Sequence, residues 1–146
     1  MTSQLPAFRS DGVGATAGPG QRSLMAWQVV SAIFLLAMGG IHLYLALNGV
    51  SGVLGFMFIL NAVGALTLAI AIVVLRRQLL LAACVLSVLF MAGTLLALVL
   101  ALTVGLFGVG ETLQGRLVPT TLVVESIGVV VLLVTTALVA RRRRAA

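Results

Sequence analysis

Four apolar runs, separated by short breaks of glycine, arginine and polar residues, constrain this chain more than any other feature. They cover residues 24–47, 52–75, 79–104 and 117–140. Each reaches the roughly 20 residues that an α-helix needs to cross a hydrocarbon layer ~30 Å thick. Inside lipid every backbone N–H and C=O must find a partner without water, and a helix supplies those partners within one segment. The runs therefore predict an all-α membrane protein, an up-down bundle of four transmembrane helices. Composition agrees, since 62% of the 146 residues are hydrophobic and 8% are charged, whereas a soluble domain carries about 25% charged residues. That balance excludes a soluble globular domain, a disordered chain and a coiled coil. A disulfide-stapled module is excluded as well, because Cys84 is the lone cysteine.

The breaks set the hairpins. Asn48-Gly49-Val50-Ser51-Gly52 is a glycine-rich turn between the first two runs, and Arg76-Arg77-Gln78 is a basic turn between the second and third. Both are too short to let neighbouring helices lie parallel. The third connection, Gly105 to Arg116, is longer and holds Gly105, Gly108, Gly110 and Gly115. Pro119 suits the first turn of the fourth helix, where its missing N–H costs little.

Residues 1–23, rich in Ser, Thr, Gly and Pro, read as a disordered cytoplasmic tail that contains Arg9 and Asp11. The first run follows this stretch and is longer than the ~7–15-residue core of a cleaved signal peptide, so it reads as an uncleaved signal anchor. Residues 141–146 form a basic tail.

The net charge of +6 comes from nine arginines and no lysine against Asp11, Glu111 and Glu125. With four spans, Arg9, Arg22, Arg76, Arg77, Arg141, Arg142, Arg143 and Arg144 share one side and Arg116 alone lies on the other. Cytoplasmic flanks are enriched in Lys and Arg, so both termini are expected in the cytoplasm of a plasma-membrane protein. The arginines flank apolar runs instead of covering a soluble face. Their expected partner is anionic lipid at the cytoplasmic surface, not nucleic acid.

Lipid gives no hydrophobic reward for helix association, so close approach through small residues carries the packing information. In the third run Gly93, Ala97, Ala101 and Gly105 recur every four residues and read as a helix contact, while Ser87, Thr94, Ala101 and Gly105 share an inward arc. Asn61, Gly64, Ala65 and Leu68 share a face in the second run, and Thr121, Glu125, Gly128 and Thr136 in the fourth. A homo-oligomer, or membership of a larger membrane complex, fits such surfaces.

Three strongly polar side chains stand out within the runs: His42, Asn61 and Glu125. At 1.5 Å per residue they lie roughly 8 to 14 Å below the outer ends of their helices. Thr94 falls in the same layer, and the loop bearing Glu111 lies over it. These residues form a candidate polar site open to the outside. Glu125 weighs most, because an acid at that depth costs on the order of 3 kcal/mol on an insertion scale and seldom faces lipid. Two kinds of role are open to it: a site for a proton or metal ion, or a structural one, as a neutral acid or a Glu125–His42 pair that pins the helices.

Other chemistry finds little support. A haem held by two imidazoles needs two histidines, and His42 is the only one. Met38 and Met57 are soft ligands of the kind copper takes, yet methionines at helical spacing are usually packing. His42, Glu111 and Glu125 reach the number of ligands for zinc without a recognisable spacing. No nucleophile elbow, phosphate loop or His-Glu-x-x-His helix is present, so no catalytic residue is assigned and the cofactor, metal included, is left unknown.

The stretch Gly39-Gly40-Ile41-His42-Leu43-Tyr44-Leu45, followed by Phe58-Ile59-Leu60-Asn61-Ala62-Val63-Gly64 and by Gly105-Leu106-Phe107-Gly108 with Glu111 and Glu125, resembles small four-span membrane proteins of high-GC Gram-positive bacteria. The likeness covers about residues 25 to 140. Superficially, such proteins resemble the DoxX-like group of four-helix membrane proteins, some of them linked to respiratory redox chemistry. The resemblance implies a four-helix membrane fold and carries over no active-site residue. Three roles follow as expectations: a non-enzymatic membrane component or accessory subunit, a proton- or metal-ion-handling carrier or sensor, and a haem- or quinone-linked redox subunit.

Overall fold

The structure, a computed structural model, describes residues 19–104 and 117–145. They form four helices: α1 (Pro19–Leu47), α2 (Gly52–Val74), α3 (Arg77–Thr103) and α4 (Val118–Arg144). No strand occurs among the described residues. All four helices are long and apolar enough to cross a membrane.

Two helices run past their apolar segments. α1 begins at Pro19, so residues 19–23 are helical. Proline at the first helical position lacks only an N–H that would be unpaired there anyway. α4 continues through Arg141, Arg142, Arg143 and Arg144. Positive charge in a last turn is stabilised by the helix macrodipole, so basic residues extend this helix instead of ending it. Arg142 also donates a hydrogen bond to the Gly20 carbonyl, which ties the end of α4 to the start of α1. Between α1 and α2 the chain turns through Gly49 (φ 140°) and Gly52 (φ 67°), backbone angles that side chains disfavour.

α1 lies against α2 and α4, and α3 lies against α4 and, more sparsely, α2. Paired residues fix the directions. Gln28 of α1 reaches Ile72 of α2 while His42 meets Phe58, so these helices are antiparallel. Ser31 meets Thr135, while the first turn of α1 meets the last turn of α4. α3 and α4 also run in opposite directions, with Met91 beside Gly128 and Thr94 beside Glu125. The bundle is therefore an up-down ring. One end carries the exposed Arg22, Arg76, Arg141, Arg142, Arg143 and Arg144; we call it the arginine end.

The inward stripe of each helix follows alternating steps of three and four residues. On α4 it is Val118, Thr121, Glu125, Gly128, Leu132, Thr135 and Val139. On α1 it includes Ser31, Leu35, Met38 and His42, and on α3 it includes Leu80, Cys84, Ser87 and Met91. A mean step of 3.5 residues keeps a stripe facing its neighbours, as in left-handed helix packing. The closest approach is between α1 and α2, where a Cβ on Gly39 would stand 2.8 Å from Ala65 Cβ and 3.4 Å from the Ala62 carbonyl oxygen.

This corrects the expectation for α3. Gly93 is exposed and has nothing within 4 Å of where its Cβ would be, and Ala97 and Ala101 are only partly buried. Steps of four residues drift about 40° around a helix each time, so such a row spirals off any single face. Gly105 lies outside the described residues, as do Arg9, Asp11, Glu111, Arg116 and the first 18 residues of the tail.

Candidate functional site

Two polar layers lie inside the bundle. The layer nearer the arginine end is built from hydroxyls and one amide. Ser31 Oγ and Thr135 Oγ1 are 2.8 Å apart, and both residues are fully buried. Thr135 donates to the Val131 carbonyl at 2.9 Å, so Ser31 supplies the proton of the shared bond. Ser87 donates to the Ala83 carbonyl at 2.8 Å. Gln28 Nε2 donates to the Ile72 carbonyl at 2.9 Å, one of the last carbonyls of α2 that its own helix leaves unpaired. Every buried hydroxyl in this layer is satisfied.

In the second layer, away from the arginines, satisfaction fails at one group. Glu125 is fully buried on α4, and neither of its carboxyl oxygens has a hydrogen-bond partner. Among the described residues these are the only buried side-chain nitrogen or oxygen atoms in that condition. Thr94 of α3 presents the hydroxyl that acts on the carboxyl. The pair does not reach hydrogen-bond geometry, and the Thr94 hydroxyl donates to the Met91 carbonyl at 2.9 Å, which leaves its oxygen able to accept. On α4 itself Thr121, one turn away, gives its hydroxyl hydrogen to the Leu117 carbonyl at 2.9 Å.

His42 is also buried, on α1, but it faces α2. Its Nδ1 lies 3.0 Å from the Met38 carbonyl oxygen, and its ring meets Phe58 edge-on with centroids 5.0 Å apart and planes at 85°. A carbonyl only accepts, so Nδ1 carries the hydrogen, and the neutral ring keeps its free lone pair on Nε2. The Glu125–His42 pair weighed from the sequence is therefore not formed. The imidazole is held by its own helix and by α2, while the carboxyl turns toward α3. Asn61 is half-buried on α2, and its amide makes no hydrogen bond to another described residue. Of the four residues assigned to the layer, the structure brings Thr94 to Glu125; no hydrogen bond joins His42 or Asn61 to them. Glu111 lies outside the described residues.

Metal ligands do not converge either: among the described residues no three of His, Cys, Asp and Glu are grouped to hold an ion. Met38 is fully buried and Met57 is 43% exposed, so the two thioethers do not face a common point. Cys84 is a buried free thiol.

Sequence reasoning misses the Ser31–Thr135 bond and the Gln28 cap. Gln28 is visible as an amide inside an apolar run. Thr135 is hidden by its neighbour Thr136, which is only partly buried and donates to the Leu132 carbonyl. Counting from Glu125 in alternating steps of three and four residues reaches 128, 132 and 135, and selects the right threonine.

No family model, curated protein or solved structure matches the chain. Fold and site define the class by themselves: an all-helical protein with four helices able to cross a membrane and one buried acid between them.

Proposed function

We propose that this protein is a non-enzymatic, multi-pass membrane component that takes up and releases a proton at Glu125, serving as a sensor or carrier in an accessory role. One observation carries this reading: a fully buried carboxyl whose two oxygens have no partner. A residue kept only to pin helices is given something to bind, as Ser31 and Thr135 give each other. Glu125 has only the nearby Thr94 hydroxyl and no partner in hydrogen-bond geometry among the described residues. An unpaired buried polar group costs about 1–3 kcal/mol, and an intramembrane acid is by default a functional group. What completes such a carboxyl is a proton or a cation. A metal ion needs several converging ligands, and the described residues offer no such group. A proton needs one oxygen.

The basic end supports an orientation. Arg22, Arg76, Arg141, Arg142, Arg143 and Arg144 stand exposed at one end of the bundle. Positive flanks are enriched on the cytoplasmic side, where they meet anionic lipid, and this supports reading both termini as cytoplasmic in a plasma-membrane protein. Glu125 then lies in the outer half of the bilayer.

Infrared difference spectroscopy on lipid-reconstituted protein tests the reading. The wild type is expected to show a carboxylic C=O band that appears and disappears as pH is titrated, and E125Q to lack that band with its helical content intact. A spectrum identical in wild type and E125Q refutes the proposal.

A further inference from the structure

We infer that the Glu125 site opens toward one face of the membrane only, and that Met91 is the residue that seals it on the arginine side. The inference rests on the proton-binding reading above and adds to it a direction and a barrier.

Packing density changes at the level of the acid. On the arginine side the next inward residue of α4 is Gly128, and its missing side chain leaves a notch. Met91 of α3 fills that notch: its Cε and Sδ stand 3.0 and 3.4 Å from where a Gly128 Cβ would be, and Phe34 Cβ stands at 3.5 Å. Met91, Leu35 and Leu132 are all fully buried. One turn along α4 from Glu125 there is thus an apolar plug made by a flexible, unbranched side chain of the kind that fills irregular gaps. Unpaired water is not stable among such groups.

On the other side the seal loosens. Met91 is the last buried residue of α3, and from Ala92 to Val104 every residue is half-buried or exposed. Thr94, Leu98 and Ala101 continue the inward stripe of α3 past Glu125 without being closed over. Thr121 and His42 each retain slight exposure, at 6% and 7%. Past Glu125 the wall formed by α3 is thus half-open, although α4 stays buried through Thr121 to Val118, whereas on the arginine side α3 and α4 are both closed by apolar packing. Among the described residues, the titratable groups that share this half of the bundle are His42 and Tyr44 on α1. Neither α2 nor α3 presents one between Glu125 and this end, and Arg22, Arg76, Arg141, Arg142, Arg143, Arg144 and Cys84 lie beyond the plug.

The barrier is testable by removing it. In proteoliposomes with an internal pH indicator, the wild type is expected to hold an imposed pH gradient. M91A, which empties the notch, and M91Q, which puts an amide into it, are expected to dissipate the gradient. The leak is expected to vanish in M91A/E125Q, because protons pass by way of the carboxyl. The inference is overturned if folded M91A and M91Q both hold the gradient, if the leak survives in M91A/E125Q, or if the wild type leaks as fast as M91A. Infrared titration of the same M91A and M91Q samples separates the two claims. A titrating carboxyl band without a leak removes the barrier and leaves the proton site standing, whereas no titrating band removes the proton site itself.

Discussion

Replacing Glu125 with methionine distinguishes a functional acid from a structural one by the sign of its effect on stability. Both carboxyl oxygens are buried and unpartnered, so E125M removes the desolvation cost of an unsatisfied polar group, about 1–3 kcal/mol. It breaks no side-chain hydrogen bond of normal geometry, because neither carboxyl oxygen has a partner in one among the described residues. Methionine is unbranched and adaptable, and a swap of similar volume costs less than about 1.5 kcal/mol in packing. The balance is a gain of about 1 kcal/mol. A carboxyl that pinned the bundle through an ion pair would give the opposite result, a loss of about 3–5 kcal/mol when one partner is deleted. Unfolding of the purified protein in detergent, followed by circular dichroism and by fluorescence of Trp27, reads the difference. E125M less stable than the wild type by about 2 kcal/mol or more refutes the reasoning. Stabilisation at the cost of function is the usual result of neutralising a working site.

Two further predictions concern the scaffold that holds the acid. G39A puts a Cβ 2.8 Å from Ala65 Cβ, well inside the ~3.5–4.0 Å optimum for carbon atoms, and is expected to cost about 1–3 kcal/mol. A65G in the G39A background should recover most of that loss in the same unfolding assay, and a double mutant no better than the single one argues against close packing there. S31A removes the Ser31–Thr135 bond between α1 and α4 but leaves Thr135 its bonds to the Val131 and Trp27 carbonyls, so a loss of about 0.6 kcal/mol is expected, as for other hydrogen bonds between membrane helices. A double-mutant cycle with T135V should give a coupling of that size, and zero coupling would show that the bond contributes nothing.

The acid was legible in the sequence, and its condition was not. Glu125 is conspicuous as the one acid inside an apolar run, and its depth follows from counting residues. Whether it meets His42 depends on how α1 and α4 are rotated about their axes. Both residues lie in one layer, and the layer alone permits a pair. The structure turns His42 to Phe58 and the Met38 carbonyl. Thr135 and Thr136 differ by about 100° of rotation, which decides which of them meets Ser31. The small-residue row on α3 was legible and misleading, because small side chains allow close approach without requiring it; the tight contact formed at Gly39 and Ala65 instead.

The sequence by itself determined that four helices form, roughly where each begins and ends, and which neighbours must run antiparallel. These are local properties: a segment enters lipid according to its own transfer free energy, and its backbone bonds close within it. Helix rotation, the plug at Met91 and the absence of any partner for Glu125 among the described residues were decided only by the tertiary structure. In lipid, every apolar face is nearly as content against hydrocarbon chains as against another helix, so hydropathy does not say which face turns inward. Contact shape and hydrogen bonds between distant residues make that choice, and they left one carboxyl beside Thr94 with no partner in hydrogen-bond geometry among the described residues.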